Sequence, residues 1–522
     1  SESSCEVHMK ITVNKNAKTV PTNFSWQFGV GNDHAFQLHR KDVCNHVKLV
    51  HDELGMKYIR FHGIFDDDML CFQRLSDYKP FAAVPFSDKI DEINFKQIAD
   101  VFDNVLACGM KPFVELSFMP GALASGNKTG IRYLNNITRP KSMDKWVDFI
   151  KKFIKFLSEY YGSEEIESWY FEVWNEPDLA IFFKGSQKDY FSLYASTARA
   201  VKSVNSRLRV GGPSSSACLW IEDFTEYCRK NDVPCDFIST HHYPGDAFGN
   251  TFSAKDAFRM MSIAKNAAKN EIGLSKTMKE MFFRPDIYKT WRKGVLNELD
   301  KKALEQANGK PLIITEWNSM AVFASPIHDE KNSAAFIVKT CVDADSRLLG
   351  TMFWCCSDIY EEQFMLGTPF HGGFGLVSNC GIPKPNFWAF KILSQLHKSR
   401  LALPESRNSD IEHAAFTDGE KVQVLIYAHD NDYGKFEKTE IELEINISAK
   451  SVTAQIIDNN HCNPKAEWEA LGSPDILTKS QVAEIKAKTA LKAEGIPFSA
   501  SGGSTTVKLT VETNDVILLS LE

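Results

Sequence analysis

The sequence predicts an α/β protein, a (β/α)₈ TIM barrel with a C-terminal β-sandwich domain. One observation is the alternation of eight apolar, strand-like runs with amphipathic helical patterns across residues 24–395. Another is the change after about residue 400 to runs in which polar and apolar residues alternate, separated by Asn, Asp, Gly and Ser. A chain of 522 residues is long enough for one domain of barrel size and a smaller one.

Eight runs rich in β-branched and aromatic residues are candidates for the barrel strands. In chain order they are FSWQFGVG, KYIRFHG, KPFVELSF, SWYFEVWN, LRVGGPS, CDFISTHHY, PLIITEWN and GTMFWCC. Helical periodicity lies between them, at residues 43–54, 95–108, 143–160, 189–205, 221–230 and 333–348. An open, doubly wound sheet is the alternative, but it favours a GxGxxG turn after the first strand, whereas Gly29-Val-Gly31 is followed by Asn-Asp-His.

The period-two runs after residue 400 predict the strands of the sandwich. They are EKVQVLIYAH, TEIELEINI, SVTAQIID, TVKLTVE and DVILLSL. A further strand at residues 10–13 is expected to complete one sheet, because the chain passes this segment before it enters the barrel. The predicted domains are a catalytic barrel at residues 22–400 and a sandwich at residues 401–522 that residues 1–21 complete.

The composition indicates a globular protein whose ligand is neutral or weakly charged. Hydrophobic residues make up 43% and charged residues 24% of the chain, which are ordinary proportions for a globular domain. The formal charge of −7 argues against a nucleic-acid partner, since such a partner favours a basic surface. No apolar run approaches the roughly 20 residues that cross a bilayer, so no membrane partner is expected either.

The start of the chain and its sequons favour secretion over a cytoplasmic location. The sequence begins SESSCEV without an initiator Met, and Asn-X-Ser/Thr sequons occur at Asn23, Asn127, Asn136 and Asn446. The 12 Cys residues lack the CxxC spacing that binds zinc, so we expect no metal site. Cys228 and Cys235 flank a short turn and are candidates for a disulfide in an exported protein.

Polar and aromatic residues stand at the ends of six candidate strands, where a (β/α)₈ enzyme carries its chemistry. They are Arg60 and His62 after the second strand, Phe118 after the third, Asn175 and Glu176 after the fourth, His241 and Tyr243 after the sixth, Glu316 after the seventh, and Trp354 after the eighth. A packed core would place Val or Leu at these positions. Their convergence on one rim of the barrel therefore predicts a functional site.

Glu176 and Glu316 are the candidate catalytic residues. Pro177 disfavours a helical conformation of the residue before it, so we expect Glu176 to be extended and to project from the strand end. Glu316 follows the apolar run LIIT, where a carboxylate lies either at the barrel mouth or unpaired in the core, at a cost of several kcal/mol. Two carboxylates on one rim suit glycoside hydrolysis, one as proton donor and the other as nucleophile or base. For each acid taken singly, a solvated loop position is the alternative.

The neighbouring residues suit a sugar site. Arg60 either keeps a nucleophilic carboxylate ionised or neutralises buried acids. His241 and Tyr243 are two residues apart on a strand, so both side chains should point into the barrel, whereas that of His242 should point outward. The opposite directions of His241 and His242 argue against a zinc site built on these two histidines. Aromatic rings that offer faces to sugar C–H groups are expected at Trp26, Phe118, Trp317 and Trp354.

At these residues the chain resembles the clan A glycoside hydrolases, and more closely their family 39, which contains β-xylosidases and α-L-iduronidases. The resemblance extends over nearly the whole chain. It rests on an ordered set of motifs: YIRFHGIFDDDM, FEVWNEPD, DFISTHHYP, ITEWNS, FWCCSDIYEE and WEALGSPDILTKSQ. It implies that Glu176 of the Asn-Glu-Pro motif is the acid/base and that Glu316 is the nucleophile.

The resemblance also implies the substrate-binding residues. Asn175 would hydrogen-bond the sugar 2-hydroxyl, which requires a twist or bulge at the strand end, because strict alternation points Asn175 and Glu176 to opposite sides. Trp354 would form the floor of the −1 subsite, and its peptide bond to Cys355 is expected to be cis. Arg60 would support the nucleophile, and sugar hydroxyls would be contacted by His62, His241, Tyr243 and, from the last loop, Glu361.

By resemblance the protein is a retaining, exo-acting β-xylosidase that releases xylose from xylo-oligosaccharides or β-xylosides by double displacement, a step of xylan degradation. Tyr243 and the TEWN motif favour this branch over the α-L-iduronidases, which have a Lys in place of Tyr243. The open alternatives are β-glucosidase, β-galactosidase, α-L-arabinosidase, α-L-iduronidase and endo-glycosidase activity, and a non-catalytic carbohydrate-binding barrel. The expected partner is a small carbohydrate and no cofactor is implied. The oligomeric state, including a homo-oligomer, stays open.

Overall fold

The computed structural model describes residues 7–131, 134–245, 254–322, 324–362, 364–402, 404 and 409–522. Eight parallel strands close into a barrel, which confirms the predicted TIM-barrel fold. They are β1 (Gly29–His34), β2 (Tyr58–His62), β3 (Lys111–Leu116), β4 (Tyr170–Val173), β5 (Arg209–Ser215), β6 (Phe237–His242), β7 (Leu312–Trp317) and β8 (Gly350–Phe353). Each strand pairs with the next in chain order, and β8 pairs with β1.

Helices cover the outside of the barrel where the amphipathic patterns predict them. Within the described ranges, one helix each follows β1, β2, β4, β5, β7 and β8: Lys41–Leu54, Lys96–Ala107, Gln187–Val204, Ile221–Lys230, Lys331–Val342 and Pro385–Ser394. Two follow β3, Met143–Tyr161 and Ser163–Glu167, and four follow β6, Ala254–Lys269, Leu274–Phe282, Pro285–Tyr288 and Val295–Gln306. The helix predicted at residues 333–348 ends earlier, at Val342.

Short elements fill the connections. Among the described residues after β1 they include 3₁₀ helices at Ala35–His39, Asp67–Met69, Leu75–Asp77, Lys79–Phe81 and Pro326–Asp329. A small hairpin between β2 and its helix pairs Phe72–Gln73 with Glu92–Ile93.

The first barrel strand lies later in the chain than the run FSWQFGVG predicts. Ser25–Phe28 form a 3₁₀ helix, and β1 begins only at Gly29. The physical reason is that the ring of Phe28 packs against Tyr58 under the barrel, with ring centroids 4.9 Å apart. β1 also ends later than predicted, at His34, and it carries His34 and the two residues before it towards the barrel mouth.

Apolar side chains fill the barrel interior at its N-terminal end. Five strands contribute one residue each to this cluster: Phe113, Tyr170, Phe237, Ile313 and Met352. Burial of these large side chains supplies much of the hydrophobic stabilisation of the barrel. Because the cluster closes this end, polar residues of the same strands face a ligand only at the C-terminal end.

Two sheets beside the barrel form the predicted sandwich. The four-stranded sheet has the order Val7–Val13, Lys438–Ile445, Ser504–Glu512, Ser499–Ser501. The seven-stranded sheet has the order Glu494–Gly495, Val452–Ile457, Val516–Leu521, Val422–Tyr427, Glu412–Thr417, Ser399–Leu401, Thr19–Pro21. Their inward residues, among them Val13, Leu443, Val424 and Leu519, share one core. Two helices, Pro464–Ala470 and Lys479–Thr489, are inserted between these strands.

The start of the chain is part of both sheets. Val7–Val13 pairs in parallel with Lys438–Ile445, and Thr19–Pro21 pairs with Ser399–Leu401. The boundaries at residues 22–400 and 401–522 stay a prediction, and residues 1–6 of the proposed N-terminal contribution lie outside the described residues.

The helix Lys331–Val342 joins the barrel to the sandwich through buried ion pairs. Lys331 Nζ lies 3.0 Å from Glu512 and 2.8 Å from Asp515, and Lys339 Nζ lies 2.8 Å from Glu412. All three acids belong to the sandwich sheets or to the turn between their strands. Removing one partner of such a pair leaves the other charge buried and uncompensated, so these contacts hold the two parts in one arrangement.

Cys228 and Cys235 are both free, buried thiols in this structure, so their proposed disulfide is not formed. None of the helices in the described ranges is both long and apolar enough to span a bilayer.

Candidate active site

Arg60 lies at the centre of the polar end of the barrel. Its side chain is fully buried on β2 and contacts carboxylates from three other strands. Nε donates to Glu172 at 2.7 Å, Nη2 lies 2.9 Å from Glu115, and Nη1 lies 3.4 Å from Glu316. Burial alone lowers the pKa of Arg60, but these three carboxylates outweigh it and raise that pKa. The guanidinium is therefore a permanent cation beneath the site.

Two of these acids, Glu115 and Glu172, were not predicted as site residues. They lie opposite each other on β3 and β4. Strand parity was the available signal: Phe113 and Tyr170, two residues earlier, fill the barrel interior, so the same parity turns both acids inward. Each stands alone in an apolar strand, a position that by itself indicates no chemical role.

The chain changes direction at Asn175 and Glu176. β4 ends at Val173, and both Trp174 (φ 75°) and Glu176 (φ 43°) adopt left-handed backbone conformations. The expectation that Pro177 holds Glu176 extended is therefore wrong. The Glu176 N–H donates to the Ser214 carbonyl at 2.7 Å, and this bond from β5 helps to hold the turn.

This turn brings both side chains into the pocket, as the expected break in alternation requires. Asn175 Oδ1 accepts a hydrogen bond from Arg60 Nη2 at 2.9 Å. Glu176 Oε1 lies 2.9 Å from His241 Nδ1. Two left-handed residues rotate the chain enough that Asn175 and Glu176 no longer point to opposite sides.

Glu316, on β7, is surrounded by hydrogen-bond donors. The pairing of β6 with β7 shifts at Thr240 and His241, which places His241 opposite Glu316. Tyr243 donates its hydroxyl hydrogen to Oε1 of Glu316. Arg60 Nη1 lies 3.4 Å and His241 Nδ1 lies 3.5 Å from Oε2. Tyr243, expected to contact sugar hydroxyls, thus directly contacts a candidate catalytic acid.

The charges of this group are interdependent. One polar atom each from Glu176, His241 and Glu316 lie within 4.8 Å of one another. Burial raises the pKa of Glu316 to about 7; the charge of Glu176 adds to this rise, whereas His241, Arg60 and the Tyr243 hydroxyl lower it. Burial also lowers the pKa of His241 to about 4, so its imidazole is neutral near pH 7. The two carboxyl groups therefore hold one proton between them below about pH 7.

His62 and Trp354 form the opposite wall. His62 Nδ1 lies 2.9 Å from Glu115, and its ring centroid is 4.8 Å from that of Trp354. The indole of Trp354 lies directly on the backbone of β1, where a Cβ at Gly31 would approach it to 2.3 Å. Gly31 is therefore required for this placement of the ring. The peptide bond between Trp354 and Cys355 is cis, as expected.

The last loop brings Glu362, rather than Glu361, to this wall. Glu362 Oε1 lies 3.9 Å from His62 Nε2, and Glu362 Oε2 accepts a hydrogen bond from the Tyr360 hydroxyl. Glu361 donates only its backbone N–H, to Asp33 at 2.6 Å, and its side chain lies near enough to Arg40 to raise the pKa of that residue. The two residues are adjacent in a loop, where no periodicity tells which one points inward.

A buried salt bridge anchors this loop. Lys384 Nζ lies 2.6 Å from Asp329, which follows β7, and 2.9 Å from Asp358, which follows β8. The same carboxylates accept backbone N–H groups of Gly372 and Gly375, each at 2.7 Å. All three charged side chains are fully inaccessible to solvent, so this contact ties the segment that carries Glu362 to the barrel.

The other predicted aromatic residues lie outside the pocket. Trp26 packs on Phe390 at 5.1 Å and Trp317 on Phe353 at 5.2 Å, so both belong to the core between barrel and helices. Phe118 is fully buried and stands edge-on to Trp174 at 5.3 Å, which favours a supporting position. His242 points outward to Asp300 at 2.5 Å, as its parity predicts.

The end of β1 adds a second polar group that the sequence did not reveal. Polar atoms of Asp33, His34 and Glu362 lie within 4.8 Å of one another, a spacing that would suit a cation. Burial lowers the pKa of His34, but its hydrogen bond with Asp66 and the charge of Asp33 outweigh this and raise the pKa to about 9. The imidazolium therefore supplies a positive charge among these acids.

This arrangement suits the hydrolysis of a glycosidic bond: two carboxyl groups share a proton, and one of them is surrounded by donors. The chain matches the family "Glycosyl hydrolases family 39" over residues 9–505, and it belongs to that family. It is thus a glycosidase that hydrolyses O-glycosyl bonds, as the resemblance implied.

Relatives match over nearly the full length. The chain is 37% identical to a β-xylosidase of Caldicellulosiruptor saccharolyticus, over 98% of each chain. It is 31% identical to a β-xylosidase of Geobacillus stearothermophilus, over 95% of this chain and 92% of the relative. Among solved structures, a family 39 β-xylosidase of Caulobacter crescentus superposes with a TM-score of 0.74 at 28% identity, covering 98% of this chain and 99% of that one.

Proposed function

We propose that the protein is an exo-acting β-xylosidase that works with retention of configuration, with Glu316 as nucleophile and Glu176 as acid/base. The observation that carries this proposal is the set of hydrogen-bond donors around Glu316, next to a second carboxyl group. Arg60, Tyr243 and His241 all approach Glu316, and His241 Nδ1 also lies 2.9 Å from Glu176. Donors stabilise a carboxylate, so the negative charge resides on Glu316 and the shared proton on Glu176.

These positions suit a double displacement. Glu316 attacks the anomeric carbon while Glu176 donates its proton to the departing oxygen, which leaves as an alcohol. Glu176, now ionised, then deprotonates a water molecule that attacks the glycosyl ester of Glu316 and releases the sugar. Retaining enzymes have carboxyl groups about 5–5.5 Å apart, and inverting enzymes about 6.5–9.5 Å. One carboxylate oxygen of Glu176 lies within 4.8 Å of one of Glu316, a short separation that supports retention.

Several groups are available to bind the sugar. Among the described residues, Asn175 Nδ2 and His241 Nε2 are buried atoms with no hydrogen-bond partner. Buried polar atoms normally have a partner, and a sugar hydroxyl would supply one to each. Trp354 offers a ring face to the C–H side of the sugar. His62 and Glu362 are placed to contact hydroxyls further from the reacting bond.

The charge and depth of the pocket support a neutral terminal sugar. Arg60 is already paired with three carboxylates, so it has little attraction left for the carboxylate of an iduronide. Glu176 and Glu316 are only 7% and 8% exposed, which favours a deep pocket for a chain end over an open groove. The names of the two curated relatives support xylose as that sugar and xylan-derived oligosaccharides as a source.

The proposal is tested with p-nitrophenyl glycosides: β-xyloside, β-glucoside, β-galactoside, α-L-arabinosides and α-L-iduronide. We expect the highest kcat/KM on the β-xyloside, with β-xylose as the first product seen by NMR. A dominant signal on another glycoside would replace the sugar but keep the mechanism. Release of α-xylose first would contradict retention. The variant Glu316→Gln, purified in parallel, excludes a contaminating hydrolase if it is inactive and folded.

A further inference from the structure

A buried carboxylate at the end of β1, that of Asp33, binds the loop after β8. The Asp33 side chain is inaccessible to solvent. Its Oδ2 accepts the backbone N–H of Glu361 at 2.6 Å, and its Oδ1 accepts that of Glu362 at 3.2 Å. Two successive N–H groups that converge on one anion require a curved backbone, which is concave towards Asp33. Both oxygens of Asp33 therefore hold the loop at the residue that enters the pocket.

A bulge in β1 directs Asp33 towards this loop. Gly31 pairs with Arg60 and His34 with His62, so β1 advances three residues while β2 advances two. The extra residue breaks the alternation of side chains, and bulges beside active sites commonly redirect one of them. The carboxylate of Asp33 is thus free to face the loop after β8 instead of a neighbouring strand.

The positive charge of His34 favours Asp33 as an acceptor. His34 Nδ1 lies 3.2 Å from Asp66, and polar atoms of His34, Asp33 and Glu362 lie within 4.8 Å of one another. A nearby cation stabilises the ionised form of a carboxyl group. Ionised carboxylates only accept hydrogen bonds, as both N–H contacts of Asp33 require.

These contacts explain which of two adjacent acids enters the pocket. Glu361 is partly exposed, and its side chain lies near Arg40. Glu362 is buried, and its Oε1 lies 3.9 Å from His62 Nε2. Because Asp33 fixes the N–H groups of both residues, it also fixes the directions in which their side chains leave the backbone.

Glu362 and His62 present two acceptor atoms to the pocket. His62 Nδ1 lies 2.9 Å from Glu115, so the ring hydrogen resides on Nδ1. Burial lowers the pKa of His62 well below its usual value, so the ring is neutral and Nε2 accepts. Two acceptors cannot hydrogen-bond each other, and a sugar hydroxyl supplies the hydrogen that either of them needs.

We propose that Asp33 is a positioning residue for sugar recognition: it holds the loop after β8 so that Glu362 accepts a hydrogen bond from a hydroxyl on the side of the sugar away from the reacting carbon. The inference rests on the proposed function, in which Glu362 and His62 contact such hydroxyls. Asp33 acts through Glu362, because both of its own oxygens are bound to the loop. A misplacement of about 1 Å in a binding group reduces activity by about 100-fold, so the support of Glu362 matters as much as its presence.

The test uses p-nitrophenyl β-xyloside and its 3-deoxy and 4-deoxy analogues, each of which lacks one hydroxyl. The discrimination of an enzyme is its kcat/KM on the xyloside divided by that on the analogue. Glu362→Ala identifies the hydroxyl that Glu362 binds, because the discrimination for that hydroxyl should fall by about 10- to 100-fold, as expected for a hydrogen bond to a charged group. Unchanged discrimination for both hydroxyls overturns the proposal.

Asp33→Asn and Asp91→Asn are a matched pair of variants. Asp91 also accepts two backbone N–H groups, from Leu75 at 3.1 Å and from Ser87 at 2.6 Å, but it lies in the connection after β2. An amide has one acceptor oxygen, so each variant loses one of its two contacts.

We expect Asp33→Asn to lower the same discrimination as Glu362→Ala, by about tenfold or more, and to change kcat/KM on the corresponding analogue little. Asp91→Asn should leave every discrimination at the parent value. Asp33→Ser, which retains one acceptor oxygen, replaces Asp33→Asn if that variant does not fold. Equal losses of kcat/KM on the xyloside and the analogue would show general damage to the fold, and they overturn the proposal, as does an unchanged discrimination.

Binding of methyl 1-thio-β-xyloside, whose thioglycosidic bond resists hydrolysis, separates this proposal from the proposed function. In calorimetry its Kd should rise by about tenfold in Asp33→Asn and stay unchanged in Asp91→Asn. That result supports the positioning role even if the parent hydrolyses no xyloside, which would contradict the proposed function alone. Xyloside hydrolysis by the parent, with the same Kd in the parent and Asp33→Asn, overturns the role of Asp33 and leaves the proposed function intact. A parent that neither binds nor cleaves these xylosides overturns both.

Discussion

Tyr243 donates its phenolic hydrogen to one carboxylate oxygen of Glu316, and Arg60 approaches the other oxygen at 3.4 Å. Both oxygens of this acid are therefore stabilised as an anion. One carboxylate oxygen of Glu176 lies within 4.8 Å of one of Glu316, and Glu176 is contacted by the neutral imidazole of His241. The donors around Glu316 support its proposed role as nucleophile and that of Glu176 as proton donor.

Tyr243→Phe tests the first of these contacts. The variant loses one hydrogen bond to a charged group, worth about 1.5–3 kcal/mol, so we expect kcat/KM to fall by about 10- to 100-fold. The Tyr243 hydroxyl lowers the pKa of Glu316, so the acidic limb of the pH profile, which reports ionisation of this acid, should move to higher pH. A profile displaced to lower pH would contradict the contact.

Glu176→Gln tests the proton donor. General acid catalysis contributes about 10²- to 10⁴-fold, so kcat/KM on methyl β-xyloside should fall by that amount. Bond cleavage in p-nitrophenyl β-xyloside, whose leaving group needs little protonation, should fall far less. Glu176 carries the proton that the pair loses above about pH 7, so its replacement should also remove the decline of kcat/KM at high pH. Equal losses on the two substrates would argue against this role.

The raised pKa of Glu316 predicts how activity depends on pH. The value is about 7, and above it the pair loses its shared proton, so kcat/KM should decline as the pH rises beyond about 7.

The free energy of unfolding should also depend on the titration of Glu316. The pKa of Glu316 is about 7 when folded, against an ordinary value of 4.5, so the folded chain binds the proton more tightly. This contribution is fully present below about pH 4.5 and is lost as the pH rises to about 7. The difference in unfolding free energy between the parent and Glu316→Gln, measured in urea from pH 4.5 to 8, should change in this interval. A constant difference would rule out the shift.

Lys384→Met tests the buried anchor of the β8 loop. It leaves Asp329 and Asp358 buried without their cation, so we expect a loss of about 3–5 kcal/mol in unfolding free energy. Lys391→Met is the matched control. Its partner Glu53 is 2.9 Å away, but the two side chains are 29% and 45% exposed, so its cost should stay below about 1 kcal/mol. Similar losses in both variants would show that burial is not the cause.

Local sequence patterns determined the architecture and the identity of the two acids. The alternation of strand-like and helical runs predicted the barrel, and the period-two runs after residue 400 predicted the sandwich, because both patterns follow from which side chains must be buried. The motifs at Glu176 and Glu316 implied a family 39 glycosidase, and this is confirmed. The assigned roles of the site residues stay predictions.

Only the tertiary structure decided which residues surround those acids. Glu115 and Glu172 are site residues because they lie on the inward-facing side of their strands. Once the barrel has closed, their side chains therefore contact Arg60. Glu362, and not the predicted Glu361, contacts His62 in the pocket wall. The sequence could not tell the two apart, because a loop has no periodicity that predicts which side chain points inward. Patterns of burial are local and can be read from a sequence, whereas distances between side chains on different strands exist only once the chain has closed on itself.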